Sequence, residues 1–138
     1  MSTVQEQNKA TARSFYEEFN NWEKVVSLLA PDYLSFMAGA PGPLSKDQHE
    51  AMARSAVTAF PDLKLTIQEQ IAEGDKVLTR LTTTGTHKGD FQGILGTGKS
   101  FNIEGWTLDR IVDGKIVEHR TIDDVMTMMR QLGAIPAH

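Results

Sequence analysis

The sequence contains no cysteine, which excludes disulfides, thiolate catalysis and thiolate metal sites and permits a reducing compartment. Nor does any stretch approach the roughly 20 apolar residues of a membrane helix. The start, MSTVQEQNKATARSF, lacks the apolar centre of a secretion signal. A soluble, cytoplasmic protein with no membrane partner is expected. Positive charge is in deficit: 14 Lys and Arg stand against 18 Asp and Glu, for a formal charge of -4. A general electrostatic hold on nucleic acid therefore has no support. What is present is ordinary globular material, 138 residues that are 40% hydrophobic with 11 Gly and 5 Pro. That length suits one domain, residues 1–138, with a packed core, and small molecules as its partners.

Apolar residues Ala12, Phe15, Tyr16 and Phe19 recur at helical spacing, and Val25, Val26, Leu28 and Leu29 form a second cluster that Pro31 terminates. The first thirty residues read as two helices. After a Gly- and Pro-rich loop, Ser45-Lys46-Asp47-Gln48 has the form of a capping box and predicts a third helix, with His49, Met52, Ala53, Ala56, Val57 and Phe60 on one face and Pro61 at its end. From Leu63 the period falls to two: Leu65, Ile67 and Ile71 share one parity, as do Val77, Leu81 and Thr83. Turn signals at Glu73-Gly74-Asp75, at 89–98 and at Asp113-Gly114 divide this half into four strands in antiparallel hairpins. A short last helix carries Val125, Met128, Met129 and Leu132, and Gly133 followed by Pro136 ends it. Helices first and strands later predict an α+β domain, a cone-shaped curved antiparallel sheet with the N-terminal helices on one face and a ligand cavity between the layers.

The segments GTHKGDFQGILGTGKSF (85–101) and DGKIVEHRTIDDVMTMMRQLG (113–133), with FYEEFN (15–20) and FPDL (60–63), resemble the SnoaL-like polyketide cyclases, also called ester cyclases, of the nuclear transport factor 2-like superfamily. The resemblance implies the same cone-shaped roll. It also implies ring closure by intramolecular aldol condensation with no metal, organic cofactor or covalent intermediate, on an apolar or polyketide-like molecule. The family's catalytic aspartate lies nine residues before the glycine of the QLG ending, which is Asp124 here, with Asp123 beside it. The family's GTH motif places His87, and Arg120 stands where the family usually has Trp.

Each position also has a structural reading. Asp124 could be a base in an apolar pocket or an N-cap, since Asp at a helix start satisfies free amides and keeps its charge. Arg120 and Asp124 share strand parity, so Arg120 could hold the carboxylate ionised, bind an enolate or an anionic substrate, or form a plain surface pair. His87 could polarise a carbonyl or hydrogen-bond across the turn beside it. His49 could line the pocket or be a satisfied core histidine. Trp106 and Tyr33 could orient a substrate oxygen. His119, on the opposite parity from Arg120, is expected to face away from the cavity. The histidine spacing fits no metal site, and none is expected. Residues 93–100 match a phosphate-binding loop pattern letter for letter, but a strand pattern rather than a helix follows, which excludes that reading. Two functions stand: a cofactor-independent cyclase or related lyase or isomerase, and a binding protein of the same fold without chemistry. A homodimer is expected, because the outer sheet face carries aliphatic residues that need cover.

Overall fold

The computed structural model describes residues 3–135; Pro136, expected to follow the last helix, lies outside them. Helices α1 (Val4–Glu17), α2 (Trp22–Val26) and α3 (Lys46–Ala59) precede most of the sheet, and α4 (Val125–Gln131) follows it. The capping box predicted for α3 forms: Gln48 N–H donates to Ser45 Oγ at 3.3 Å while Ser45 N–H donates to Gln48 Oε1 at 2.9 Å. At the other end of the chain, Gly133 takes φ 77, a left-handed conformation open to glycine, and terminates α4.

Five strands form one curved mixed sheet: β1 (Leu29–Met37), β2 (Lys64–Glu73), β3 (Lys76–Thr86), β4 (Ser100–Val112) and β5 (Lys115–Asp123), in the order β1-β5-β4-β3-β2. The last four are the predicted antiparallel hairpins. β1 was not anticipated, and it pairs parallel to β5, so the sheet is mixed rather than wholly antiparallel. Pro31 concealed it. A proline is tolerated in an edge strand, and here the β1–β5 register slips between Leu29 and Leu34 around it.

Two further irregularities reverse strand faces. On β2 the register shifts between Ile67 and Glu69, so Ile71 points outward, 56% exposed, rather than sharing a face with Leu65 and Ile67. On β5, Ile116 pairs with Ile111 while Glu118 pairs with Arg110, so one extra residue, Val117, sits in the strand. A bulge of this kind flips every side chain beyond it. Counting by twos from buried Ile116 therefore assigns the far half of β5 to the wrong faces.

Helices α1 and α3 pack on the inner face of the sheet, where one core gathers Phe15, Trp22, Val25, Val77, Ile111 and Ile116. A second core, Phe60, Leu63, Phe101, Ile103, Met128 and Leu132, fills the end of the sheet beneath α4. Phe19 and Leu65 pack against both.

Candidate active site

The residues expected to form the site are dispersed. Asp124 is the N-cap of α4: Thr127 N–H donates to its Oδ1 at 3.2 Å and Thr127 Oγ1 to its Oδ2 at 2.7 Å. Those bonds hold the exposed carboxyl below the ordinary carboxylate range. The side chain lies at the solvent-facing start of the helix, and of its two readings capping matches the geometry. Arg120 lies on the outer face, its guanidinium 4.2 Å from the Phe36 ring centre and 3.5 Å from Glu118, away from Asp124. Trp106 is on that outer face too, in register with Ile122 and 41% exposed. His87 is fully buried: its Nδ1 accepts from Thr97 N–H at 3.3 Å, and its ring packs against Phe60 at 5.4 Å. It fixes the turn after β3, and its Nε2 is buried without a partner.

Tyr33 and His49 do meet, the phenol hydroxyl hydrogen-bonded to His49 Nδ1 at 2.8 Å. Their surroundings contain the group the sequence reasoning missed. The bulge at Val117 turns His119 inward, contrary to the expectation that it faces away, and sets it opposite Asp109 on β4. His119 Nδ1 donates to Asp109 Oδ1 at 2.6 Å, and Tyr16 on α1 donates its phenolic proton to Asp109 Oδ2 at 2.6 Å. The Thr107 hydroxyl bonds Tyr16 in turn. Burial, then the Asp109 charge, pushes the Tyr16 phenol well above its ordinary range. The His49 and His119 rings stack 5.7 Å apart. One signal for this set was available in sequence: Asp109 occupies the apolar parity of Ile103 and Ile111, a buried-carboxyl position that needs partners.

His49 is held far from its ordinary 6.5, down to about 3, first by burial and then by His119. Tyr33 from β1, His119 from β5 with Asp109 behind it, and the Trp22 ring from α2 surround it. Above pH 6.5 both states are neutral and stability is whole; as pH falls toward about 3 only unfolded His49 takes up a proton, so stability declines. Replacing His49 by Gln is expected to flatten the acid limb of stability against pH by about one proton, as urea titrations at successive pH values will read.

Asp123, not Asp124, shares the inner parity of His119 and Thr121. It pairs with Gly105, whose missing side chain leaves room: a Cβ there would collide with Asp123 Oδ1. Although it touches solvent, surrounding protein raises its carboxyl above the ordinary range, against a Thr121 hydrogen bond that lowers it. A groove of about 310 Å³ opens between α3 and the start of α2 with the connection before it, bounded by Phe19, Asn20, Trp22, Ala53 and Arg54 among others. Among the described residues no cluster of His, Asp and Glu converges as a metal site would, and no helix is long and apolar enough to cross a membrane.

Residues 10–132 match the SnoaL-like polyketide cyclase family, and the structure of IdmH from Streptomyces antibioticus, described as a candidate polyketide cyclase, superposes with TM-score 0.83 at 34% identity over 92% of this chain and 99% of that one. The chain belongs to the SnoaL-like polyketide cyclase family. AclR from Streptomyces galilaeus, described as a candidate hydroxylase, shares the SnoaL-like fold with TM-score 0.87 at 28% identity, covering 96% of this chain and 100% of that one. The aklanonic acid methyl ester cyclase DnrD of Streptomyces peucetius is 43% identical over 60 residues, 44% of this chain and 41% of that protein. The match thus spans about two fifths of that relative's length.

Proposed function

We propose that this protein is a cofactor-independent cyclase that closes a ring in a polyketide-like substrate by intramolecular aldol-type condensation, with acid/base groups on the inner face of the sheet. The observation that supports it best is the Asp109–His119 hydrogen bond at 2.6 Å inside the fold of a cyclase family. A carboxylate that accepts from Nδ1–H fixes the imidazole tautomer and leaves Nε2 as a proton acceptor. The acid/base role expected of Asp124 passes to His119, because Asp124 is committed to Thr127 in solvent. Relatives are named for aklanonic acid methyl ester, so that ester is the first compound to test. Expected is a product of unchanged mass and new retention time, formed only with protein present. No conversion at stoichiometric protein would overturn the reading.

A second reading, binding without chemistry, draws support from how tightly the interior is packed: Tyr16, Asp109 and His119 expose 3%, 0% and 4% of their surfaces. It predicts saturable binding of the same ester with no product.

The outer sheet face supports a homodimer. Trp106 and Ile122, 41% and 59% exposed, lie in register amid Arg80, Arg120, Glu104 and Glu118, an apolar centre with charges of both signs around it. A dimer in sedimentation at micromolar concentration, converted to monomer by Ile122→Glu, is the expected result; a monomeric wild type contradicts it.

A further inference from the structure

The proposed base leaves Tyr33 and His49 without a role, although both belong to the same interior. The Tyr33 hydroxyl and His49 Nδ1 are hydrogen-bonded at 2.8 Å. With the phenol, the stronger acid of the two, as the donor, Nδ1 is the lone-pair nitrogen and the ring proton sits on Nε2. On the neighbouring ring the order is reversed, because Nδ1 of His119 donates to Asp109 and the lone pair lies on Nε2. Neither Nε2 bonds to protein among the described residues. One interior thus sets a fixed donor and a fixed acceptor on rings 5.7 Å apart and inclined by 29°.

Packing alone gives no reason for this arrangement. Phe15, Phe19 and Trp22 surround His49 at 6.0, 6.5 and 4.9 Å, an aromatic cage that a phenylalanine would fill as well as an imidazole does. Phe19 and Trp22, whose rings lie beside His49, also line the groove between the α1–α2 connection and α3.

Resting on the cyclase reading, we infer that His49 is a catalytic hydrogen-bond donor: its Nε2–H receives a carbonyl oxygen of an enolisable β-dicarbonyl substrate while Nε2 of His119 takes the adjacent carbon-bound proton. The C–H bond breaks, the proton goes to His119, and the electron pair moves into an enolate whose oxygen His49 stabilises. The enolate carbon then attacks a second carbonyl of the same molecule, a C–C bond forms, and the new alkoxide recovers the proton from His119. Atoms and charge balance without an oxidant or reductant. Burial keeps His49 neutral, as a donor aimed at an enolate must be to avoid surrendering its proton.

The first half of this sequence is testable with ethyl 2-methylacetoacetate as the probe, by following exchange of its α-proton in D₂O by NMR. Wild type is expected to catalyse saturable exchange. His49→Phe should lower kcat by about 10²-fold with KM little changed, and His49→Gln, which restores an N–H donor, should recover most of the loss. In parallel, ¹⁵N-histidine spectra of the wild type should place the His49 proton on Nε2, and Tyr33→Phe should move part of it to Nδ1. A His49→Phe protein exchanging as fast as wild type, or a wild-type His49 proton on Nδ1, overturns the inference, and the second readout serves even where the variant fails to fold. Wild type that neither exchanges the probe nor cyclises the ester defeats the cyclase reading, whereas exchange indifferent to His49 defeats this inference alone.

Discussion

Replacing His119 by Gln lowers the rate of ring closure by about 10²–10⁴, the usual loss when a positioned acid/base group is removed. Glutamine has nearly the reach of the imidazole and can still donate to Asp109, so the buried carboxylate keeps a partner and the fold persists. What it cannot do is accept and return a proton. The loss should therefore fall on kcat, with binding of substrate little altered. Tyr16→Phe, which removes the other donor to Asp109 at 2.6 Å, acts one step further away and should cost less. Single-turnover kinetics on the ester distinguishes the chemical step from product release. A His119→Gln protein with wild-type kcat would remove the imidazole from the mechanism.

The largest expected loss of stability lies elsewhere, at Phe60. Its ring is 2% exposed and packs edge-on to Phe91 at 5.1 Å and Phe101 at 4.9 Å, with His87 on a third side. Truncation to Ala removes the centre of the second core, and such changes cost about 3–5 kcal/mol through lost transfer energy and the cavity left behind. The turn after β3 also depends on this neighbourhood, because Lys88 N–H and Gly89 N–H both donate to Ala59 C=O, at 2.9 and 3.1 Å. Urea unfolding should show a lower midpoint with an unchanged slope. Protein that remains folded should still turn over, since the Asp109–His119 set belongs to the other core. A loss of about 1 kcal/mol or less would mean that the second core closes over the gap.

Most of the fold was legible because its signals are local. Ser45 and Gln48 announce α3, Gly133 ends α4, and the turns at Gly74 and Gly114 separate alternating strands. β1 was hidden because Pro31 reads as a terminator, whereas an edge strand tolerates it when pairing slips around it. The site was much less legible, and for one physical reason: alternation assumes an unbroken pleat. Val117 adds a residue to β5, so Arg120 goes outward and His119 inward, opposite to a count by twos. Family resemblance had drawn attention to Asp124, where the local rule, an acidic N-cap, describes the side chain. Asp109 and His119 face each other across the β4–β5 hairpin, but Tyr16 stands 93 residues before Asp109. Only the assembled sheet and helix bring them together.

The most direct measurement sets two variants side by side on aklanonic acid methyl ester, Asp124→Ala and His119→Gln. With the chemistry on the inner face, the first protein melts earlier, having lost its helix cap, yet cyclises at close to the wild-type rate, while the second melts near wild type and scarcely cyclises. The reverse outcome, an inert Asp124→Ala protein beside an active His119→Gln protein, would contradict the account.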